Sequence, residues 1–434
     1  NTLTVNPKVL TASGLSSIDK VYDGTTLATV IGTAALQAAA ATPTSSDGKP
    51  FTGDTVSLSG TAVGNFNTKD VLTANTVAFT GLTLTGAQAG NYTLTQPGND
   101  TTARITAKAL TVTGVSSSDK VYDGTTAAVV NGTAALQATI AAGTGASTDG
   151  KAYTGDAVSL SGTVVGNFNS KDVATANTVT FAGLSLTGAD MGNYTLTPLA
   201  NDTTARITAK ALTVSGLSSA DKVYDGTTVA VVNGTAALQA AIAAGTGAST
   251  DGKAYTGDTV GLSGVVAGNF NSKDVATANA VAFTGLSLTG ADAGNYTLTQ
   301  PAAATNQITR APLTIYANND AKFVTTADPS FTVSYSPFVA GESATTAGVL
   351  TSTPTVTVDR TSTLNITNGS VATGVLANSG AEAAGTYANA LVPSGAVAGN
   401  YQITYVKGNY TVVGAENLLV RMQSASAVYG AHPY

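Results

Sequence analysis

Four residue types recur at matching places along the chain and carry the chemistry available to it. A tyrosine stands in KVYDGTT at Tyr22, Tyr122 and Tyr224, with Lys20, Lys120 and Lys222 two positions before it. Aspartates recur at Asp19, Asp23, Asp54 and Asp70 and their copies, and an asparagine in GNYTLT at Asn91, Asn193 and Asn295. Three tyrosines at one register could stack on sugars. In a β-sandwich such a tyrosine is more commonly a core or corner residue with its hydroxyl tied to backbone, and that reading is preferred. The aspartates could offer oxygens to calcium, which needs about 6–8 of them converging on one point. No DxDxDG run is present, and Lys108, Lys210 and Arg310 mark the places where units join, so solvated turn aspartates are expected instead. An amide cross-link between a lysine such as Lys20 and an asparagine such as Asn91, or an aspartate, would need a buried carboxylic acid as helper. Glutamate occurs only at Glu342, Glu382 and Glu416, so an aspartate would have to serve.

The rest of the composition removes whole classes of function. The 434 residues include no Cys, no Trp, two Met and one His. Thiol chemistry, disulfides, CxxC zinc sites and His-based triads within the chain are excluded. The single histidine, His432 in AHPY, reads as a turn residue. Paired carboxylates, a GxSxG elbow and a phosphate loop are absent as converging sets, so no catalytic, cofactor-binding or metal-binding residue is assigned, and the protein is not expected to be an enzyme. Charged residues make up only 10%, with 19 basic against 25 acidic and a net charge of −6. That argues against a nucleic-acid partner, which would require clustered Lys and Arg. A hydrophobic content of 43% with so low a net charge can form cores rather than remain disordered. No stretch approaches the roughly 20 apolar residues of a membrane helix. NTLTVNP lacks signal-peptide character, leaving a cytoplasmic protein or an interior slice of a longer secreted chain.

The elements that must position these residues are arranged in tandem. Residues 108–197 match 210–299 with only 13 differences in 90 positions, and self-similarity at a fixed spacing sets the folding unit. The units expected are repeat 1 at 8–107, repeat 2 at 108–209, repeat 3 at 210–309, a fourth domain at 310–413 with a different signature, the start of a further domain at 414–434 and the end of a preceding one at 1–7, where Leu3 and Val5 suggest a last strand. Repeats of about 100 residues can enclose their own cores, so beads with separate cores are expected. Within a unit the dominant period is two, as in Leu110/Val112, Val158/Leu160, Val179/Phe181, Leu184/Leu186 and Tyr194/Leu196, which predicts strands. Asn131-Gly132 and Asn233-Gly234 predict hairpin turns, and Asp23-Gly24 with its copies predicts turns of the same kind. AALQATIAAGTGASTDGKAYTGD at 134–156 leaves two readings open, a short helix over 134–142 or a hairpin finger. In ARITAKALTV the apolar parity flips between Ile105 and Leu110, as if a strand passed from one core to the next. The fold class is all-β, tandem immunoglobulin-like β-sandwich domains, and the absence of a flexible linker predicts an elongated rod of on the order of 150 Å at about 3.3 Å per strand residue.

The set KVYDGTT (120–126), GDAVSLSG (155–162), Phe168, FAGLSLTGADMGNYTLT (181–197) and ITAK (207–210) resembles the bacterial YDG domain, over three units from about residue 8 to 309. The fourth unit and the tail, with AVYGAHP at 427–433, resemble MBG (mostly bacterial Ig-like) domains. The resemblance implies a large Gram-negative exoprotein of the filamentous-haemagglutinin-like adhesins, exported by two-partner secretion through an outer-membrane pore to the cell surface or the extracellular space. A chain exported unfolded commonly lacks Cys, as this one does. N-x-S/T triplets at Asn91, Asn131, Asn193, Asn233, Asn295 and Asn409 would suit the glycosylation of some such adhesins. The expected role is a structural stalk that holds a binding region away from the cell for adhesion or biofilm formation, with a cell-surface or matrix glycan or protein bound by another region of the parent chain. The alternatives are repeats that themselves bind a glycan or matrix polymer, the 134–156 segment adding avidity, or self-association of chains into an extracellular fibre through uncharged edge strands.

Overall fold

Thr and Val alternate along most segments, and both are β-branched residues that suit a pleated surface covered on one face only. In the computed structural model nearly every regular element is accordingly a strand. The structure describes residues 4–361, 364–365, 383–414 and 416–417. His432 and the MBG-like tail at 427–433 lie outside these, and Val5 is exposed and belongs to no strand. The chain divides into two compact units, 1–210 with 243–249, and 211–242 with 250–434.

In repeat 1, the strand Lys8–Ser17 lies between Val30–Leu36, antiparallel, and Tyr92–Thr95, parallel, with Lys8 opposite Tyr92 and Leu10 opposite Leu94. A second sheet runs Leu27–Ala28, Ser57–Phe66, Val77–Thr85, all antiparallel. Leu15 and Val30 of the first sheet pack against a core that includes Phe66, Val77 and Phe79 of the second. A short parallel pair, Lys20–Val21 with Ile105–Thr106, ties the VYDG segment to the end of the repeat. Repeat 2 keeps this plan, with Lys108 opposite Tyr194 in parallel register and Lys120–Val121 beside Ile207–Thr208. The fourth domain keeps its first step: Ala311–Ala317 lies between an antiparallel Val333–Ser336 and a parallel Tyr401–Val406, with Ala311 opposite Tyr401. In all three, the parallel pairing sets the GNY tyrosine beside the domain's first strand residue.

The period-two expectation holds: Leu110, Val112, Val179, Phe181 and Tyr194 face inward. Three local expectations do not. Asn131-Gly132 is no hairpin turn but lies inside the strand Val129–Ile140, with Asn131 opposite Ser116 and a bulge beside it. Gly114 and Gly132 face each other there with φ of 86° and 84°. A Cβ on Gly132 would stand 2.1 Å from the Gly114 carbonyl oxygen, so the glycine serves close backbone approach rather than chain reversal. The Ala-rich start of 134–156 is neither helix nor hairpin finger. It continues that strand to Ile140, and after a loop Lys151–Tyr153 returns parallel to it, Gln137 opposite Lys151 and Ile140 opposite Tyr153. Alanine's helix preference of at most a few tenths of a kcal/mol per residue yields to sheet pairing.

The third difference concerns the cores. The parity flip is present, with Ala103 and Ile105 buried before the joint and Lys108 and Leu110 after it. Both sets nevertheless enter one cluster, which joins Tyr22, Phe66, Val77 and Ile105 of repeat 1 to Leu110, Ala152, Tyr153 and Tyr194 of repeat 2. In the second unit, Tyr224, Phe270 and Ile308 likewise share a cluster with Leu313, Val349 and Tyr401 of the fourth domain. The strand changes its buried face without leaving the core, because neighbouring domains close each other's ends.

Gly132→Ala should destabilise the chain by roughly 3 kcal/mol, from positive-φ strain plus displacement of the facing carbonyl. Gly98→Ala, in open space, should change stability by less than about 0.5 kcal/mol. Denaturant unfolding of the two variants side by side checks the contrast.

Candidate functional site: a carboxylate socket between domains

The glycine before each socket acid shapes a tight turn. Gly155 has a φ of 98° and Gly341 one of 86°. The N–H of Asp156 donates to the Tyr153 carbonyl at 3.2 Å, and that of Glu342 to the Val339 carbonyl at 3.0 Å. The carboxylate is thereby presented at the end of its domain that faces the preceding one.

Asp156 gathers three donors. The Tyr22 hydroxyl donates to it at 2.8 Å, the Tyr194 hydroxyl at 2.7 Å and the Lys69 ammonium at 2.8 Å, and Lys69 also donates to the Tyr22 hydroxyl at 2.9 Å. Tyr22 and Lys69 come from repeat 1, Asp156 and Tyr194 from repeat 2. The ring of Tyr22 stands edge-on to Tyr194 at 5.3 Å and to Tyr153 at 5.8 Å, contacts worth about 0.5–1.5 kcal/mol each beyond area burial. The Tyr194 hydroxyl is held in place by the Tyr153 N–H at 2.9 Å. Beside this, Asn193 makes a second bridge: its Oδ1 accepts from the Val71 N–H at 2.9 Å and its Nδ2 donates to Asp70 at 3.0 Å. The loop of the 134–156 segment adds a third, the Gly143 N–H donating to the Asp23 carbonyl at 2.7 Å.

The second unit builds the same site from a different domain. Tyr224 of repeat 3 donates to Glu342 at 2.6 Å, Tyr401 also donates to Glu342, and the Val339 N–H donates to the Tyr401 hydroxyl at 3.0 Å. Asn400 accepts from the Val275 N–H at 2.9 Å and donates to Asp274 at 2.9 Å. Lys273 reaches the Tyr224 hydroxyl at 3.5 Å.

Burial alone would raise the Asp156 carboxyl, but the bonds from Lys69, Tyr194 and Tyr22 prevail and hold it below the usual carboxylate range. Burial, opposed by Lys69 and reinforced by Asp156, pushes Tyr22 up to about 12. Burial and the facing carboxylates raise Tyr194 and Tyr401 as well. The tyrosines are therefore neutral donors at ordinary pH, the arrangement that binds a carboxylate.

Several sequence expectations are decided by this geometry. Tyr22 and Tyr122 are fully buried and Tyr224 nearly so, which removes them as sugar platforms. Tyr22 and Tyr224 are core residues as expected, but their hydroxyls are tied to a carboxylate of the next domain rather than to their own backbone. Asp23 is a turn residue, accepting from Lys20 at 2.7 Å and from the Thr25 N–H at 2.9 Å, and Asp19 accepts from the Arg104 N–H at 2.8 Å. Asp156, the copy of Asp54, is not a solvated turn residue. Among the described residues no His, Cys, Asp or Glu cluster could hold a metal. The Lys20 ammonium bonds to Asp23, Thr25 and the Leu27 carbonyl, and none of these bonds reaches Asn91. Asn193 and Asn295 are 4% exposed and not accessible for glycosylation, while Asn91, Asn131 and Asn233 are exposed. Lys69 and Glu342 carried no functional reading in the sequence. Their signals were present: Lys-Asp recurs at 69–70, 171–172 and 273–274, and the Gly-acid step at 155–156 returns as Gly341-Glu342 in the fourth domain.

Small β-sandwich domains in series, locked end to end through a carboxylate and two tyrosines, define a modular repeat protein. The chain belongs to the YDG domain family, whose model matches residues 6–103, 106–205 and 208–305, and it continues into an MBG domain of the YGX type at 313–411. No curated protein matches it. The residues that bridge from one domain to the next fall inside these matches, in the Tyr-Asp-Gly and Gly-Asn-Tyr motifs, the Lys-Asp-Val loop and the Gly-acid turn.

Removing the socket acid should loosen the joint selectively. Asp156→Ala leaves two buried hydroxyls and an ammonium without their acceptor, and should weaken docking of repeats 1 and 2 by about 3 kcal/mol. Tyr22→Phe should cost about 1–2 kcal/mol. Native-state hydrogen exchange at the Val71 amide reads both.

The acid dependence has a fixed sign. A folded-state carboxyl held below the ordinary value of about 3.9 contributes fully above pH 4, and the contribution is lost as pH falls through the folded value. Exchange at Val71, corrected for intrinsic rate, should therefore accelerate below pH 4 in the native chain. In Asp156→Asn it should be fast already and change less.

Proposed function

We propose that these domains are a stalk segment of a large secreted or cell-surface adhesin of a Gram-negative bacterium, holding a binding region of the parent chain away from the surface. The observation that carries the reading is the use of the recurring polar residues. Tyr22, Lys69, Asp156, Asn193 and Tyr194 are all engaged between domains, where they resist bending and separation rather than face a ligand. A joint of this kind transmits load and orientation from module to module. The low charge and the absence of Cys fit export through an outer-membrane pore. Partners on a host or matrix surface would then be bound elsewhere in the parent chain. The 134–156 segment, the best candidate for adhesion by the repeats themselves, supports the stalk reading instead. Its loop bonds to the Tyr-Asp-Gly turn of the preceding repeat, and its Tyr153 is buried in the shared core.

Replacing repeats 2 and 3 in the native full-length protein with unrelated immunoglobulin-like modules of equal length tests the proposal. Attachment to cells or matrix should be retained within about twofold. Loss of attachment with surface display intact would transfer the adhesive function to the repeats.

A further inference from the structure

Repeat 1 carries the same socket as repeat 2, already shaped. Phe51, Asp54, Asn91 and Tyr92 stand where repeat 2 has Tyr153, Asp156, Asn193 and Tyr194. The Tyr92 hydroxyl donates to Asp54 at 2.5 Å and accepts from the Phe51 N–H at 3.0 Å, reproducing the two bonds of Tyr194. What differs is everything the preceding domain supplies at the other joints. Asp54 accepts from Tyr92 alone among the described residues, and the Asn91 side chain is exposed and makes no hydrogen bond there. Phe51 is 44% exposed, against 2% for Tyr153. With Lys8, whose ammonium lies 4.8 Å over the Phe51 ring, these residues border a recess of about 360 Å³.

We propose that this face takes the tip of a further module of the same kind, joined directly ahead of Lys8. The occupant's chemistry is defined by what the socket still accepts. Asp54 has room for a tyrosine hydroxyl and an ammonium. Asn91 offers an oxygen to a peptide N–H and an amide N–H to a carboxylate, and the exposed Phe51 offers a ring to an aromatic edge. A Tyr-Asp-Gly tyrosine and a Lys-Asp-Val loop bring all of these at once, and the two described joints are filled in this way: by Tyr22, Lys69, Asp70 and Val71 in one unit, by Tyr224, Lys273, Asp274 and Val275 in the other. A metal ion finds too few oxygens here, because among the described residues Asp54 is the only carboxylate bordering the recess. Covalent connection makes docking intramolecular, with an effective concentration on the order of millimolar, so modest contacts suffice. The inference rests on the joint geometry and holds whether or not the array acts as a stalk.

The chain has no tryptophan, so Phe51→Trp places a single reporter in the socket. The test compares the full chain carrying this change with the same chain bearing a second copy of residues 8–107 fused directly ahead of Lys8, where the copy's Ile-Thr-Ala runs into Lys8 as Ile105-Thr106-Ala107 runs into Lys108. Fusion should shift the emission to shorter wavelength and lower acrylamide quenching about threefold or more. Both effects should vanish when the added copy carries Tyr22→Phe with Lys69→Ala, changes that leave the socket itself untouched. A second reporter guards against damage by the first. Val71→Trp in the added copy, with Phe51 retained in the acceptor, should be shielded on fusion, because Val71 packs against the shared core at the described joint. Unchanged signals from both reporters on fusion would overturn the proposal, as would a shift that survives loss of the copy's tyrosine hydroxyl and ammonium. A concentration-dependent shift in the unfused chain, with dimers in sedimentation, would assign the face to a second copy and equally overturn it.

Discussion

One carboxylate, received by two tyrosine hydroxyls from opposite sides of a joint, is the contact on which the arrangement of consecutive domains depends. A carboxylate as covered as that of Asp156 is tolerated only when its lone pairs are bonded. Tyr22 and Tyr194 satisfy Asp156 as neutral donors, and Lys69 from repeat 1 supplies the compensating charge from the more exposed side. Because the donors belong to different domains, Asp156 is fully satisfied only when both are in register. That makes the bond a sensor of docking rather than a generic surface ion pair, which would contribute about 0–1 kcal/mol. The surrounding elements follow from this demand. The parallel pairing of the first strand with the Gly-Asn-Tyr strand delivers Tyr194, the Asp23-Gly24 turn follows directly on the buried Tyr22, and the Gly155 turn delivers the acid.

The exchange of Asp156 for Glu342 shows which features of the joint are essential. The YDG and MBG domains differ in most of their strands, yet each presents an acid after a left-handed glycine, an asparagine that clasps the preceding Lys-Asp loop, and a tyrosine whose hydroxyl is anchored by the backbone three residues before the acid. The additional methylene of glutamate is absorbed without losing either tyrosine bond. The tip of a YDG domain therefore fits an acceptor of either family, and the conserved quantity is the position of two hydroxyls and one peptide N–H rather than the identity of the acid. Lys273 sits farther from its tyrosine than Lys69 does, and its nearest acid is Asp274 at 3.2 Å, so the glutamate joint leans more on the tyrosines.

Much of the fold was legible because strand alternation is a strong local signal: Val179 and Phe181 face inward as their spacing requires, and the repeat period was plain. The joints were only half legible. Parity at Ile105 and Leu110 tells which face of the chain is buried, but it cannot tell that one continuous core lies on both sides, since that depends on Tyr22 meeting Tyr153 across some 130 residues. Asn131-Gly132 misled because the glycine's positive φ serves a bulge as well as a turn. The Ala-rich stretch misled because alanine's preference is small beside a full set of cross-strand bonds. Asp156 was visible only as an aspartate in a turn. Its role requires Lys69 and Tyr22 from another domain, and the pattern of one repeat, although it holds all three residue types, does not show that the acid meets a neighbour's lysine and tyrosine rather than its own.

Splitting the site between the two ends of a module has a consequence for how such arrays grow. Each YDG repeat carries a tip, with its Tyr-Asp-Gly tyrosine and Lys-Asp loop, and a socket, with its Gly-Asp turn and Gly-Asn-Tyr motif. Duplicating a whole repeat duplicates both halves, so the new copy is complementary to its neighbours on arrival, and the 13 differences between repeats 2 and 3 spare every one of these motifs. Within each of the two units the shared core places the domains between independent beads and a solenoid: a repeat is large enough to hold two sheets of its own, but its end is closed by the domain that follows it in that unit. Stability in such a system is a sum of intrinsic and nearest-neighbour terms. An insertion of a complete repeat preserves every nearest-neighbour term, whereas a break inside one strands a tip without its socket, which favours change in whole-module steps.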